Sequence, residues 1–324
     1  MLAIGNAIVD VISYATDDFL IRHGLKKDTM ELVDAARSDE LYTAMGPTIE
    51  TSGGSAANTA VGVAALGGRA AFLGKVRDDQ LGEVYIHDIR AAGVDFDVPP
   101  ATHGLPTGRS LILVTPDAHR TMSTCLGIAS AVTANDIDPA RVSDARITYC
   151  EGYLWDAEAT KAAIRKAMEI TREAGNKVAL TLSDGFCVER HREEFRELVV
   201  DSVDILFAND AEIRSLYQVA EFDEALQQVR AECELAFLTR GAAGAVVARG
   251  DEVHVVSADP QGPVVDTTGA GDQFAAGVLF GLTNDCDLAL CARIGSRCAG
   301  EVISHIGPRP HKDLKALVAP LLAT

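Results

Sequence analysis

One glycine-rich stretch near the C-terminus carries the residues best suited to chemistry. It reads Asp266-Thr-Thr-Gly-Ala-Gly-Asp272 and runs into the helical pattern GlnPheAlaAlaGlyValLeuPheGly. The turn formed by Gly269, Ala270 and Gly271 lets the backbone approach a bound group closely. The unpaired N–H groups of the new helix then predict an anion hole at its positive end. Asp272 lies at that point, where a carboxylate is suited to accept the proton of an attacking hydroxyl group. A plain capped helix start is the alternative.

Two further features are typical of a site for a polyhydroxylated substrate. The stretch Gly53-Gly54-Ser55-Ala-Ala-Asn58 precedes an Ala/Val-rich helix. Its small residues let a substrate lie against the backbone, and Asn58 offers both a donor and an acceptor; a tight strand-to-helix turn explains the pattern equally well. Asp10 interrupts an apolar strand, where a carboxylate is costly to bury without hydrogen bonds, so adjacent hydroxyl groups are a fitting partner. A water-exposed aspartate at a strand end is the alternative.

A third group of residues follows predicted strands in the middle of the chain. Asn209-Asp-Ala-Glu212 comes directly after AspIleLeuPheAla, so Asn209 and Glu212 share a helix face at the carboxyl end of a strand, where α/β proteins place ligands. Such oxygen ligands suit Mg²⁺ held mainly through water and phosphate, and a capping box is compatible with that role. Thr239-Arg-Gly241-Ala-Ala-Gly244 joins two β runs and either flanks a nucleotide or is only a hairpin turn.

The bulk properties exclude several classes of protein. The 324 residues include 29 basic and 47 acidic ones, for a net charge of -18, which argues against nucleic-acid binding and requires any phosphate site to be local. Seven scattered cysteines without a C-x-x-C pair predict reduced thiols in a cytoplasmic protein. The N-terminus is predicted to be a strand rather than a signal peptide, and no apolar run is long enough to cross a membrane.

Short apolar runs alternate with helical patterns, which predicts a parallel, doubly wound sheet flanked by helices. The predicted strands are 2–13, 70–76, 147–150, 177–182, 204–208, 235–239, 244–248 and 252–257. The predicted helices are 55–66, 80–92, 157–174, 189–200, 210–217, 222–231, 271–283 and 286–304. Residues 14–52 and 100–125 break this rhythm, look strand-rich or irregular and are interpreted as lid insertions in a single domain spanning 1–324. A hairpin is predicted around Asp117.

Together these motifs resemble the ribokinase-like (PfkB) family of sugar and nucleoside kinases over essentially the whole chain. The resemblance rests mainly on the stretches 266–272 and 53–67. It implies an α/β core whose central, mostly parallel sheet is flanked by helices and covered by a small β lid. It also implies a kinase that uses ATP as co-substrate and Mg²⁺ as cofactor.

The resemblance also implies roles for individual residues. By position, Asp272 resembles the family's general base. The residues that match its anion hole are Gly269, Ala270 and Gly271. Those on the ATP side are Asn209, Thr239, Gly241, Gly244, Gly269 and Gly271. Asn209 and Glu212 match the element that organises Mg²⁺ through water. Asp266 and Thr268 match positions that ligate a monovalent cation such as K⁺ in many members.

Within the family, the stretches GlyAsnAlaIleValAspVal, ArgThrMetSerThrCysLeuGly and GluGlyTyrLeuTrpAsp most resemble bacterial adenosine kinases. This implies phosphorylation of the 5′-hydroxyl of adenosine, giving AMP and ADP. The substrate residues that it implies are Asn6, Asp10, Gly54, Ser55, Asn58, Arg120, Met122, Trp155 and Asp272. Arg120 would contact the phosphates or the ribose, while Met122 and Trp155 would either stack on a purine or only pack the lid and core.

Two alternatives remain open at this point. One is a sugar kinase for ribose, fructose or a keto-deoxy sugar acid, and the other is a non-catalytic nucleoside-binding protein. The intact Asp272 and its glycine turn argue against a pure binder, which has no need of a base there. A monomer and a homodimer are both consistent with the sequence.

Overall fold

The computed structural model describes residues 1–117 and 119–323, and within them the chain forms two β-sheets and twelve α-helices. The strands are β1 (Leu2–Ile4), β2 (Ile8–Tyr14), β3 (Met30–Leu32), β4 (Ile49–Gly53), β5 (Ala71–Leu73), β6 (Gly108–Val114), β7 (Arg120–Cys125), β8 (Ile147–Glu151), β9 (Lys177–Thr181), β10 (Ile205–Asn209), β11 (Leu235–Thr239), β12 (Ala245–Arg249) and β13 (Glu252–Val256).

The helices follow the same chain order. They are α1 (Asp17–Arg22), α2 (Ala35–Ala44), α3 (Ser55–Ala65), α4 (Gln80–Ala91), α5 (Pro139–Asp144), α6 (Glu158–Glu173), α7 (Gly185–Asp201), α8 (Asp210–Tyr217), α9 (Phe222–Glu232), α10 (Ala270–Thr283), α11 (Leu288–Val302) and α12 (Leu314–Leu322). Among the described residues, no helix is both long enough and apolar enough to span a bilayer.

The larger sheet confirms the predicted α/β core. Its eight strands run in the order β13-β12-β11-β10-β9-β8-β1-β5, and all neighbours are parallel except the β11–β12 and β12–β13 pairs. Because successive side chains point to opposite faces, each strand contributes side chains to the hydrophobic cores on both sides of the sheet. In β1, Ala3 joins one hydrophobic cluster while Leu2 and Ile4 join the other. The apolar run of each strand is therefore explained by burial on both faces.

The smaller sheet, called the lid sheet below, has the order β3-β7-β6-β2-β4. One face is apolar, since Val9 and Leu111 belong to the same hydrophobic cluster as Leu20 of α1 and Leu41 of α2. The other face is polar. In register across β2, β6 and β7 it carries Asp10, Ser110 and Thr124, and the hydroxyl oxygens of the last two lie 2.8 Å apart. The predicted hairpin around Asp117 corresponds to the antiparallel β6–β7 pair.

Two predictions about this region are wrong. The strand expected over 2–13 is two strands in different sheets, because the chain leaves the core sheet at residues 5–7. A Cβ at Gly5 would collide with the Glu151 carboxylate and with Ala56, so these residues fix the crossing point. The segment 14–52, expected to be strand-rich or irregular, contains strands β3 and β4 but also the helices α1 and α2, which were not expected. Asp34 caps α2 through the N–H of Arg37, a start signal that the weak apolar periodicity hid.

Candidate active site

The anion hole predicted at the start of α10 is built around Gly269, the N-cap residue. Its φ of 77° and the proximity of Pro308 exclude any side chain, since a Cβ would collide with that proline. In the described part of the chain the N–H groups of Gly269 and Gly271 have no acceptor, whereas the N–H of Ala270 donates to the Thr267 carbonyl at 3.2 Å. Two of the three predicted amides are therefore free to bind an anion.

Asp272 lies in the first turn of α10, and its carboxylate is held by two side chains of α3. Ser55 Oγ donates to Oδ1 at 2.6 Å, and Asn58 Nδ2 donates to Oδ2 at 3.2 Å. Burial raises the pKa of Asp272 to about 6, against the opposing effect of these two hydrogen bonds. A carboxylate with such a pKa is mostly ionised at neutral pH and is well matched to general-base catalysis.

The paired glycines before α3 bring the lid sheet against this carboxylate. Gly54 has a φ of 99°, and a Cβ there would collide with the Asn6 carbonyl. A Cβ at Gly53 would collide with the carboxylate of Asp10. The glycines are thus required both for backbone conformation and for close approach, and they place Asp10 near Asp272.

The Asp10 carboxylate is half-buried and accepts no hydrogen bond from the described residues. Burial raises its pKa to about 6, while the guanidinium groups of Arg309 and Arg120 act in the opposite direction and Asp272 adds to the rise. A partly desolvated carboxylate with unused acceptor capacity is suited to bind hydroxyl groups, as the sequence predicts.

Asn6 is tied to Glu151, a residue to which the sequence analysis gave no role. Asn6 Nδ2 donates to Glu151 Oε1 at 3.0 Å, and the N–H of Ala56 donates to Oε2 at 2.9 Å. Burial raises the pKa of Glu151 to about 7. The buried carboxylate thereby joins the end of β8 to the start of α3. A glutamate that ends an apolar strand at a ligand-binding sheet edge was the available signal.

Arg309 is a second residue that the sequence analysis missed. Its guanidinium contacts Asp88 Oδ2 at 2.9 Å, Ser52 Oγ at 2.7 Å and Asn58 Oδ1 at 3.4 Å. It therefore connects the loop after α11 with α4, lid strand β4 and α3. The signal was Gly307-Pro-Arg309-Pro, a rigid turn with one cation in an acidic chain.

Arg120, on lid strand β7, reaches the segment before α10. Its Nη1 lies 2.9 Å from Asp266 Oδ2 and 3.1 Å from Thr268 Oγ1. Its buried Nη2 has no hydrogen-bond partner among the described residues. The predicted substrate residue Arg120 and the predicted cation ligands Asp266 and Thr268 therefore meet in a single contact.

The two predicted stacking residues differ in position. Met122 lies on the same face of β7 as Arg120 and is half-buried. Trp155 is 0% exposed, and its indole N–H donates to Glu194 on α7 while its ring packs near Phe195. The prediction of Trp155 as a substrate residue is wrong, because the ring is enclosed in the core between the sheet and its outer helices.

On the predicted nucleotide side, Asn209 and Glu212 form a capping box at the start of α8. The N–H of Asn209 donates to Glu212 Oε2 at 2.9 Å, its Nδ2 donates to Oε1 at 2.6 Å, and the N–H of Glu212 donates to Asn209 Oδ1 at 2.9 Å. Burial raises the pKa of Glu212 to about 7. In the sheet, Asn209 is the direct partner of Thr239, so the two predicted segments lie side by side at strand ends.

The loop from Gly241 to Gly244 turns between β11 and β12 with both glycines at positive φ. Gly241 is open to its surroundings, whereas a Cβ at Gly244 would collide with the Val256 carbonyl and come close to Ala258. Val256 is the last residue of β13. This strand and α11 line a cavity of about 600 Å³, whose walls include Ala258, Arg293 and Ser296. No sequence motif marks this cavity, because β13 and α11 are separated in the chain and meet only in the fold.

Direct coordination of Mg²⁺ by Glu212 does not fit this geometry, because both of its carboxylate oxygens accept hydrogen bonds from Asn209. Among the described residues, no cluster of three or more His, Cys, Asp or Glu side chains could hold a metal ion. Mg²⁺ is commonly held by substrate phosphates and water with few protein ligands. The residues here fit that water-mediated arrangement, in which the carboxylates of Glu212 and the nearby Asp184 would accept hydrogen bonds from metal-bound water.

Comparisons with known proteins agree with this architecture. A model of the pfkB family of carbohydrate kinases matches residues 26–314. An adenosine kinase of Saccharomyces cerevisiae is 27% identical over 331 residues, covering 95% of this chain and 96% of that protein. The crystal structure of adenosine kinase from Sinorhizobium meliloti is 49% identical, with a TM-score of 0.91 and coverage of 100% and 98% of the two chains. A probable sugar kinase from Rhizobium etli is 47% identical, with a TM-score of 0.92 and coverage of 99% and 98%.

Proposed function

This chain belongs to the pfkB family of carbohydrate kinases, and from that membership we propose that it transfers the γ-phosphoryl group of ATP to the 5′-hydroxyl of adenosine. The observation that carries the proposal is the position of the Asp272 carboxylate. It lies at a helix N-terminus with free amides, is held by Ser55 and Asn58, and is close enough to the unbonded carboxylate of Asp10 to raise the pKa of that group. The 49% identity to the Sinorhizobium meliloti adenosine kinase supports the choice of acceptor.

In this proposal each group has one task. The Asp272 carboxylate accepts the proton of the 5′-hydroxyl as the oxygen attacks phosphorus. The free N–H groups of Gly269 and Gly271, with the helix dipole behind them, stabilise negative charge on the transferring phosphoryl group. The unbonded Nη2 of Arg120 is a further donor beside them. Mg²⁺, when bound with ATP, supplies neutralisation of the phosphate charge.

The same proposal assigns the two substrates to opposite parts of the site. Asp10, on the polar face of the lid sheet, binds the adjacent 2′- and 3′-hydroxyls through two charge-assisted hydrogen bonds. Met122 on that face supplies apolar surface to the purine. ATP lies along Thr239, Gly241 and Gly244, with the cavity between β13 and α11 receiving its base.

The setting that we propose is the cytoplasm. All seven cysteines fall within the described residues, and each is a free thiol; six of them are buried. Unpaired cysteines in this number are typical of proteins kept in a reducing compartment. This proposal would be tested by localising the protein in fractionated cells.

An ADP-release assay over adenosine, 2′-deoxyadenosine, ribose and fructose tests the choice of acceptor. We expect kcat/KM to fall in the order adenosine, 2′-deoxyadenosine, free sugars. Loss of one hydroxyl leaves the Asp10 carboxylate under-bonded, at a cost of about 1–3 kcal/mol. Asp10→Asn should remove most of the preference for adenosine over 2′-deoxyadenosine while retaining the fold. If ribose or fructose is the better substrate, the sugar-kinase alternative replaces the nucleoside one.

A further inference from the structure

The contact between Arg120 and Asp266 joins the lid sheet to the segment that leads into the anion hole. The two side chains are each only 9% exposed, and the ion pair measures 2.9 Å. Partners that are 146 positions apart in the chain meet here only because β7 of the lid lies over the start of α10. A buried ion pair of this kind is costly to break, since either charge alone would remain desolvated.

The side-chain oxygens of Asp266 are fully engaged by donors of the protein. Oδ1 accepts from the N–H of Thr268 at 3.0 Å and from its hydroxyl at 2.7 Å. Oδ2 accepts from the N–H of Gly307 at 2.9 Å and from Arg120. The Thr268 hydroxyl oxygen also accepts from Arg120. A monovalent cation needs several free oxygens to replace its hydration water, and these side chains offer none that is unbonded.

Charge leads to the same result. A cation that ligated Asp266 would lie within a few ångströms of the Arg120 guanidinium, in a buried region where like charges repel strongly. The guanidinium already neutralises the carboxylate and, through its unbonded Nη2, still has a donor to offer. The side chains of Asp266 and Thr268 therefore do not fit the monovalent cation that the resemblance implies.

We propose that the Arg120 guanidinium takes the place of the monovalent cation beside the anion hole, so that this kinase works at its full rate without K⁺ or Na⁺. The activity measurement that tests this inference rests on the proposed phosphoryl transfer, whereas the measurement of the melting temperature does not. The Arg120 guanidinium also differs from a bound ion in one physical respect. Because Arg120 belongs to lid strand β7, its positive charge reaches Asp266 only through the packing of the lid sheet on the core.

The first test uses the unmodified protein. We expect kcat/KM for adenosine in potassium chloride and in choline chloride of equal ionic strength to agree within about twofold, because screening is matched and no ion site is filled. The melting temperature should likewise not depend on which cation is present. Activation by K⁺ of about tenfold or more, with a rise in Tm, would overturn the proposal. Absence of adenosine phosphorylation in both salts would instead contradict the proposed function.

The second test compares two lid arginines. Arg120→Met leaves the Asp266 carboxylate buried without its charge partner, so we expect K⁺ to raise both the Tm and the residual activity of this variant. Arg109→Met is the matched control, since Arg109 pairs with Asp39 of α2 and stacks on Tyr42, on the other face of the lid sheet. It should show no K⁺ response. If Arg120→Met responds to K⁺ no more than Arg109→Met does, Arg120 does not stand in for a cation.

Discussion

On the side of the site proposed for the phosphoryl acceptor, polar and charged side chains from the lid sheet, α3, α10 and the loop after α11 meet around Asp272. On the nucleotide side, the ends of neighbouring core strands lie next to one another. The strand that ends at Asn209 continues into α8, whose first turn is capped by Asn209 and Glu212. The contacts differ accordingly in their span along the chain. Ser55 and Asn58 reach Asp272 across 217 and 214 positions, whereas Asn209 and Glu212 are three positions apart.

This difference separates what depends on the lid from what does not. Asp10 and Arg120 belong to lid strands, so their charges reach the acceptor only through the packing of the lid sheet on the core. Thr239 ends strand β11 of the larger sheet, and the capping box joins the end of β10 to the start of α8, so neither depends on contacts with the lid sheet. We therefore expect changes on the acceptor side to affect chemistry and acceptor recognition, and changes on the nucleotide side to affect Mg²⁺ and ATP alone.

The largest effect is expected from Asp272→Asn. An Asn side chain keeps the shape and can still bond with Ser55 and Asn58, but it cannot take a proton. We expect kcat to fall by about 10²–10⁴-fold with little change in KM for adenosine. Steady-state ADP release measures this. Asp97→Asn, on the protein surface, is the control and should leave activity unchanged. Turnover of Asp272→Asn within a few-fold of wild type would show that Asp272 is not the base.

The next effect is a pH dependence confined to the acceptor side. Burial raises the pKa of both Asp272 and Asp10 to about 6, and both must be ionised to act. At saturating ATP and Mg²⁺, kcat/KM for adenosine should therefore rise as the pH increases through 6 and level off above it. Below 6, two protonations should make the fall steeper than about tenfold per pH unit.

Asp10→Asn sharpens this measurement, because it removes one of the two carboxylates that must be ionised to act on the acceptor side and leaves Asp272. Its profile should fall by no more than about tenfold per pH unit. If activity of the Asp10→Asn variant falls as steeply with pH as that of the wild type, Asp10 does not bind the acceptor. Glu212→Gln, on the nucleotide side, should keep the steep wild-type profile.

The smallest effect is expected from Glu212→Gln in a Mg²⁺ titration at saturating ATP. The variant should weaken the apparent Mg²⁺ affinity a few-fold, since Glu212 acts through metal-bound water, and should leave KM for adenosine unchanged. Gln preserves the capping box, so stability is retained. Glu224→Gln, on the exposed face of α9, is the matched control. An unchanged Mg²⁺ curve would reduce Asn209 and Glu212 to a helix cap.

The fold of the core was predictable because its signals are local. Buried strands of five or so apolar residues and helices with apolar periodicity appear in the sequence as repeating patterns, and their alternation predicts a parallel sheet. The lid was less predictable. Its strands pair through distant segments, and β2 follows β1 after only residues 5–7, so nothing in the apolar run 2–13 marks the change of sheet.

The candidate site divides in the same way. The sequence by itself determined the glycine turn with Asp272 and the capping box of Asn209 and Glu212, because backbone conformation and spacing along one helix fix these features. Only the tertiary structure decided that Trp155 is enclosed in the core and that Arg309 reaches the lid–core junction. It alone placed Arg120 on Asp266, because the approach of side chains more than a hundred positions apart depends on how the lid sheet packs over the core.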